Sequence, residues 1–227
     1  MKRVVVIGLG RFGSMLAQSL AEANVEVIAI DQRRELVEAV ADIVAHAVIL
    51  DATDEKALLA QGVATVDVAV VTIGEDFEAN VLATIACKNF GIPQVIARGA
   101  TRNQCKILER IGADIVIQPE EEAARRLGRR ILSPTIRESQ ELAEGVSVVQ
   151  MEAPAVFFNR KIADIDLRRR YGANLVAIKR PERDPAGEVA ERVIFPRADT
   201  AILAKDVLVL VGSDEDLQVL VAEQEAA

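Results

Sequence analysis

The chain has 227 residues, of which 51% are hydrophobic, 27% are charged and 3% are aromatic. Its formal net charge of −8 excludes sequence-independent binding to DNA or RNA, which requires clustered positive charge. No apolar run approaches the roughly 18 residues of a membrane-spanning helix, and no signal peptide precedes the first apolar run at Val4, so we expect a soluble protein.

The first half of the chain alternates apolar runs with amphipathic segments. Runs rich in Val, Ile and Ala are typical of strands that are buried on both faces of a parallel sheet. The order of elements therefore predicts an α/β domain with a Rossmann-like, doubly wound parallel sheet. The predicted strands are 3–7, 25–30, 45–50, 67–72, 94–98 and 115–117, and the predicted helices are 12–22, 35–41, 54–61, 77–89 and 102–111.

The pattern changes after the sixth predicted strand. A charged helix is predicted over 119–132, and a second helical piece is predicted to continue to Leu142. The remaining segments predict a second, smaller α+β domain, with domain limits of 1–135 and 141–224. Its predicted strands are 147–152, 174–179, 191–195 and 206–212, with a polar turn at 181–187, a short helix near 162–167 and a final helix at 214–222.

A glycine loop joins the first strand to the first helix. Gly8, Gly10 and Gly13 fit the pattern G-x-G-x-x-G, in which the first glycine allows a tight turn, the second lets the backbone approach phosphate, and the third lets the helix pack closely on the sheet. The helix N-terminus then offers N–H groups and the positive end of its dipole to phosphate. The alternative is a glycine-rich turn with no ligand.

Asp31 follows Gly10 by 21 residues, at the end of the second predicted strand. A carboxylate there accepts hydrogen bonds from ribose hydroxyls, so a dinucleotide such as NAD is the default ligand. A dehydrogenase also needs an acid or base, and the single histidine, His46, lies in an apolar strand where a structural role is expected. Cys87 and Cys105 lack C-x-x-C spacing and are expected to be buried, reduced thiols.

Arg11 stands inside the glycine loop. A guanidinium pairs bidentately with phosphate oxygens, which favours a phosphate-rich mononucleotide over a dinucleotide with one pyrophosphate. The alternative is an arginine that faces solvent or an acidic residue of a partner subunit, and the sequence leaves both possibilities open.

Several stretches together resemble one known family. They are residues 6–13, 45–48 with 51–54, 111–114 with 119–120, and 164–168 through 171–174. Over essentially its whole length, the chain resembles the RCK-domain regulatory subunits of bacterial potassium uptake systems, of the KtrA and TrkA type. A single N-terminal lobe followed by a single C-terminal lobe is more similar to KtrA than to the tandem TrkA arrangement.

The resemblance implies a regulatory function without catalysis. Members assemble as homodimers into an octameric ring at the cytoplasmic face of a membrane potassium transporter subunit of the KtrB or TrkH type. The N-terminal lobe binds ATP or ADP, or NAD(H) in some relatives, and nucleotide exchange changes the shape of the ring. The alternatives are an NAD(H)-binding regulatory subunit of the TrkA type and an NAD-dependent oxidoreductase.

The resemblance also implies site residues. Asp31 would hold the ribose, and Arg98 would be a second phosphate contact. Glu120 would help to hold Mg²⁺ or Ca²⁺ between subunits, the alternative being a helix N-terminal charge. The phosphate loop would be Gly8, Gly10, Arg11, Phe12 and Gly13, the adenine would lie beside Asp51, Ala52 and Thr53, and Ile73 and Gly74 would face the nucleotide. Cyclic di-AMP, bound by some relatives, would contact Ile162, Ile165, Arg168 and Asn174, although the two isoleucines fit an ordinary core equally well.

Overall fold

A computed structural model describes residues 2–132, 136–183 and 189–225. Contacts divide the chain into two units, Met1–Glu122 and Ala123–Ala227. The domain limits 1–135 and 141–224 stay predictions, since residue 135 lies outside the described residues, as does most of the turn predicted at 181–187.

The first unit contains a six-stranded, all-parallel sheet, as the sequence predicts. Its strand order, β3-β2-β1-β4-β5-β6, is that of a doubly wound fold, in which the order reverses beside β1. Alternate side chains of the strands fill two separate apolar cores, one on each face of the sheet. The strands are β1 (Arg3–Ile7), β2 (Glu26–Asp31), β3 (His46–Ile49), β4 (Val68–Val71), β5 (Gln94–Arg98) and β6 (Ile115–Ile117).

The helices of this region differ in how they begin. The side chains of Asp54, Asp76 and Thr101 cap α3, α4 and α5 by accepting hydrogen bonds from backbone N–H groups. In contrast, α1 begins after Gly10 without a side-chain cap, so its first-turn N–H groups remain available to a ligand. The helices are α1 (Arg11–Glu22), α2 (Arg34–Glu38), α3 (Glu55–Ala60), α4 (Phe77–Asn89), α5 (Arg102–Arg110) and α6 (Pro119–Leu132), the last of which contains the division between the units.

The second unit contains a five-stranded antiparallel sheet with the order β10-β9-β11-β8-β7, which confirms the α+β prediction. Short helices and the final helix pack on one face around Phe157, Ile178 and Leu208. The elements are β7 (Ile136–Ala143), β8 (Val146–Glu152), α7 (Ile162–Ile165), α8 (Leu167–Tyr171), β9 (Asn174–Arg183), β10 (Val189–Ile194), β11 (Val207–Ser213) and α9 (Asp214–Glu225).

The helical piece predicted to end at Leu142 is wrong. Residues Ile136–Ala143 form the edge strand β7, which pairs antiparallel with β8. Glu, Gln, Leu and Ala in this segment favour a helix locally, but the open edge of β8 offers a ladder of backbone hydrogen bonds, and tertiary pairing overrides the local preference. Charged side chains are common on edge strands because they oppose further pairing.

The cysteines are buried and unpaired, as predicted. Burial raises the pKa of Cys87 to about 12, so the thiol is inert near neutral pH. His46 is exposed at the start of β3 rather than packed in the core. Among the described residues, no helix combines the length and the apolar composition that crossing a bilayer requires.

Candidate functional site

A cleft of about 550 Å³ opens at the carboxyl ends of the parallel strands in the first unit. It lies beside β1, where the strand order reverses, which is the usual position of ligand sites in doubly wound sheets. The cleft is lined by Ile7, Gly8, Gly10, Arg11, Phe12, Ile30, Asp31, Gln32, Arg33, Leu50, Asp51, Ala52, Thr53, Thr72, Ile73, Gly74, Glu75, Asp76, Ala79, Arg98 and Glu120.

The predicted nucleotide residues converge on this cleft although they come from five different strand ends and one helix. The exception is Gly13, which lies behind the loop. A Cβ on Gly13 would collide with the carbonyl oxygen of Gly8 and would lie 2.6 Å from the Thr72 hydroxyl. Gly13 therefore permits close packing of α1 on the sheet and does not line the cleft.

The glycine loop is held in a fixed conformation. Gly8 has a φ of +97°, and a Cβ there would approach the backbone nitrogen of Ile73 to 2.9 Å, so glycine is required on both counts. Its N–H donates to the carbonyl of Ile30, and the Thr72 hydroxyl donates to the carbonyl of Gly8 at 2.6 Å. The loop is thus tied to both β2 and β4.

The start of α1 is open toward the cleft. A Cβ on Gly10 would meet no atom within 4 Å, so the backbone there is accessible to a ligand. The exposed guanidinium of Arg11 has no hydrogen bond or ion pair with any described residue. Uncapped N–H groups, a helix dipole and an unpaired cation are together the features that favour phosphate at a helix N-terminus.

Asp31 connects the glycine loop to the interior of the cleft. It is buried, with 8% of its surface exposed, and accepts hydrogen bonds from the N–H of Leu9 at 2.7 Å and of Arg33 at 2.9 Å. A carboxylate has about four acceptor positions, so Asp31 retains capacity for ribose hydroxyls. It therefore both braces the glycine loop and faces the ligand space.

Beyond Asp31, the end of β3 supplies a second carboxylate. Asp51 accepts from the backbone N–H of Thr53 at 2.9 Å and from its hydroxyl at 2.8 Å, and these bonds lower the pKa of Asp51. Ala52 between them is buried in the core. The turn is thereby rigid, with its charge at the edge of the cleft.

Arg98 and Glu120 meet at the other end of the cleft. The Nη2 of Arg98 lies 2.7 Å from Oε1 of Glu120, and its Nε lies 3.4 Å from Oε2. Partial burial raises the pKa of Glu120, but hydrogen bonds from Arg98 and from the Glu120 backbone outweigh this effect, and the net pKa is lowered. The Arg98 guanidinium packs against Gly74, where a Cβ would collide with Nη1.

Comparison with known proteins identifies the family. The TrkA-N domain family matches residues 4–119, and the TrkA-C domain family matches residues 146–223. The chain is 36% identical to Ktr system potassium uptake protein C of Bacillus subtilis (strain 168) over 95% of this chain and 94% of that protein. It is 31% identical to Ktr system potassium uptake protein A of the same organism, over 96% and 94%.

The chain belongs to the KtrA/TrkA family. Its relatives of the Ktr and Trk type are potassium uptake system proteins. A solved structure of the GsuK RCK domain is similar at a TM-score of 0.52 and 25% identity, covering 100% of this chain and 47% of that one. The chain thus spans about half the length of that structure.

Some residues of the TrkA-N cleft were not predicted. Arg33 follows Asp31 by two residues, and its guanidinium lies 3.6 Å from Asp31 and 3.7 Å from Glu75. The position of Arg33 two residues after Asp31 is a sequence signal by which it could have been predicted to line the cleft. Asn80, which was not predicted either, lies behind the cleft: it is fully buried and donates to the carbonyls of Ile73 at 2.6 Å and Arg98 at 3.1 Å, joining the ends of β4 and β5.

The metal role of Glu120 stays a prediction. Within residues 2–132, 136–183 and 189–225, no group of three or more His, Cys, Asp or Glu side chains is placed to hold a metal ion. The Glu120 carboxylate is paired with Arg98 instead. A cation would therefore need oxygens from nucleotide phosphates or a partner subunit, as the family resemblance implies.

The residues predicted to contact cyclic di-AMP lie in the TrkA-C region. Arg168 on α8 and Asn174 at the start of β9 are exposed, and Ile162 is half-buried. Ile165 is fully buried in the core of the second unit, as the alternative of an ordinary core residue predicts. The role of the other three residues stays a prediction.

Proposed function

We propose that the first unit binds ATP or ADP and that the chain is a nucleotide-sensing regulatory subunit of a potassium uptake system. The observation that carries the proposal is the unpaired Arg11 beside the uncapped start of α1, in a cleft that also holds the ribose carboxylate Asp31. These groups match the two polar parts of an adenine nucleotide, its phosphates and its ribose.

The nucleotide has one natural orientation in this cleft. Its phosphates meet the N–H groups that follow Gly10, its ribose meets Asp31, and its base lies beside the turn of Asp51, Ala52 and Thr53. Arg98 stands at the far end as a second phosphate contact. Two arginines at one phosphate site favour a chain of two or three phosphates ending in free oxygens over a dinucleotide, whose pyrophosphate is substituted at both ends.

NAD(H) is the second candidate ligand. The G-x-G-x-x-G loop and Asp31 suit it equally, since they would bind the pyrophosphate and the adenosine ribose, which NAD shares with ATP and ADP. Because NAD(H) has no terminal phosphate with free oxygens, Arg11 would then face solvent or a partner subunit. An oxidoreductase would need a proton-transfer residue at the cleft in addition, and the sequence offers His46, which is exposed on β3.

Regulation follows from differential binding. A nucleotide shifts an equilibrium between two assembly states only if it binds one state more tightly than the other. We propose that homodimers form an octameric ring at the cytoplasmic face of a KtrB- or TrkH-like subunit, and that ATP and ADP favour different ring shapes. Mg²⁺ or Ca²⁺ near Glu120, and cyclic di-AMP at the second unit, are further effectors in this proposal.

Thermal unfolding of the whole chain with ATP, ADP, NADH and cyclic di-AMP tests the ligand. A ligand that binds the native state raises the melting temperature as its concentration increases. We expect ATP and ADP to do so, and Gly10→Ala, whose Cβ occupies the phosphate approach, to abolish the increase. Stabilisation by NADH with none from ATP or ADP would replace the proposed ligand.

A further inference from the structure

The ion pair between Arg98 and Glu120 joins the end of β5 to the first turn of α6. The Arg98 side chain is 19% exposed, and its Nε and Nη2 both donate to the carboxylate. Both residues line the cleft that holds the proposed phosphate site. The negatively charged carboxylate of Glu120 is thus paired with the Arg98 guanidinium, to which a phosphate would also bind.

A guanidinium binds an oxyanion strongly through two donors on one edge. The edge of Arg98 formed by Nε and Nη2 is occupied by Glu120. The other edge includes Nη1, which packs against the backbone of Gly74. The edge formed by Nε and Nη2 is therefore occupied, so a two-point contact of phosphate with this edge requires the Arg98 side chain to leave Glu120.

The backbone of Arg98 is held in place, whereas its side chain can change its hydrogen-bond partner. The buried Asn80 amide fixes the carbonyls of Arg98 and Ile73, so the ends of β5 and β4 stay together. Gly74 leaves room for the guanidinium, which a side chain there would exclude. A change of partner therefore needs rotation of side-chain bonds alone.

We propose that Glu120 is an internal competitor of the nucleotide phosphate for Arg98. Without nucleotide, the ion pair fastens the start of α6 to β5; when phosphate takes Arg98, that fastening is lost and the Glu120 carboxylate is released. The released group lies in the helix in which the first unit ends. This inference rests on the proposed function and adds the route by which phosphate occupancy reaches α6.

The test measures ATP and ADP binding by titration calorimetry in a chelator, so that no divalent cation contributes. Glu120→Gln removes the competing charge and keeps the shape of the side chain. We expect it to tighten ATP binding roughly two- to fivefold, which corresponds to the upper part of the range for a partly exposed ion pair. Glu122→Gln is the matched control, because Glu122 is exposed in the same first turn and has no partner among the described residues.

A double-mutant cycle separates competition from general repulsion. If Glu120 acts through Arg98, Glu120→Gln has no effect on affinity in an Arg98→Ala background. Tighter binding that persists there, or an equal gain from Glu122→Gln, overturns the inference, as does weaker binding by Glu120→Gln alone. If the wild-type chain binds ATP and Glu120→Gln leaves its affinity unchanged, this inference alone fails; if the wild-type chain binds neither ATP nor ADP, the proposed function fails with it.

Discussion

Among the described residues, each unit buries one aspartate beside a strand end, but the two aspartates are used differently. Asp206, in the second unit, is fully buried and accepts hydrogen bonds from Nε and Nη2 of Arg180 at 2.8 and 2.7 Å and from the N–H of Leu203 at 2.8 Å. Asp31, in the first unit, accepts from two backbone N–H groups and still lines an open cleft. Asp206 thus accepts three hydrogen bonds from groups that surround it at a fully buried site, whereas Asp31 accepts two and keeps acceptor capacity toward the open cleft.

The arginines repeat the contrast. The hydrogen bond with Asp206 raises the pKa of Arg180 further above its ordinary value, and the Arg180 side chain also donates to the carbonyl of Ala201. Arg11 has no partner among the described residues. A buried charge whose hydrogen bonds are complete stabilises a fold, whereas charges left incomplete around one cleft indicate a ligand.

The largest expected effect tests this contrast directly. Asp206→Asn turns an amide toward donors of Arg180 or Leu203, and we expect the free energy of unfolding to fall by about 3 kcal/mol. Asp31→Asn should cost about 1 kcal/mol, because one oxygen still accepts from Leu9, and should weaken ATP binding. Circular dichroism in urea follows both units, and the fluorescence of Tyr171, the single tyrosine in a chain without tryptophan, follows the second unit alone. Equal losses of stability would contradict the comparison.

A second prediction distinguishes the roles of two glycines in the same loop, one in stability and one in nucleotide binding. Gly13→Ala places a Cβ against the Gly8 carbonyl and the Thr72 hydroxyl, and we expect a loss of about 2 kcal/mol in urea denaturation. Gly10→Ala meets no atom within 4 Å and should unfold like the wild type while losing nucleotide binding. Gly13→Ala with normal stability, or Gly10→Ala with normal binding, would show that the loop is described wrongly.

The smallest expected effect on the free energy of unfolding comes from a charged side chain at the surface. Asp114 accepts from the Val95 N–H at 2.7 Å and from Lys88 at 2.9 Å, and these bonds lower its pKa below the ordinary 3.8. The lowered value means that the carboxylate stabilises the fold above pH 3.8 and that this contribution is lost as pH falls through the folded-state pKa. Solvent screening keeps it under about 1 kcal/mol.

Urea denaturation of Asp114→Asn from neutral pH down to acid checks this. The difference from the wild type should shrink as pH falls below 3.8. Asp42→Asn is the control, because Asp42 is exposed and has no hydrogen bond or ion pair in the described part of the chain. A difference that grows in acid would reverse the sign of the argument.

The first unit could be predicted closely because its information is local. Apolar runs such as Arg3–Ile7 mark strands buried on both faces, and the glycine pattern with Asp31 marks the cleft at fixed spacing. Asp51 and Arg98 were predicted as site residues through the family resemblance. They lie together in the structure because the carboxyl ends of parallel strands meet at one sheet edge.

What could not be predicted depends on partners distant in sequence. The segment Ile136–Ala143 has helix-forming residues, and its strand exists because β8 pairs with it. Asn80 has no local signal, since its two acceptors belong to the ends of β4 and β5. The pairing of Arg98 with Glu120 likewise joins residues 22 positions apart, and neither residue type specifies the other.

The most direct test of the account is the affinity of Arg11→Ala for ATP and ADP, measured by titration calorimetry beside the wild type. Arg110→Ala, an exposed arginine in the last turn of α5, controls for the loss of one positive charge. If Arg11 binds the terminal phosphate of ATP, as the proposed function implies, Arg11→Ala should bind ATP about tenfold more weakly and ADP less than about twofold more weakly. An equal loss for both nucleotides, or no loss, would contradict the claim that this cleft distinguishes a triphosphate from a diphosphate through Arg11.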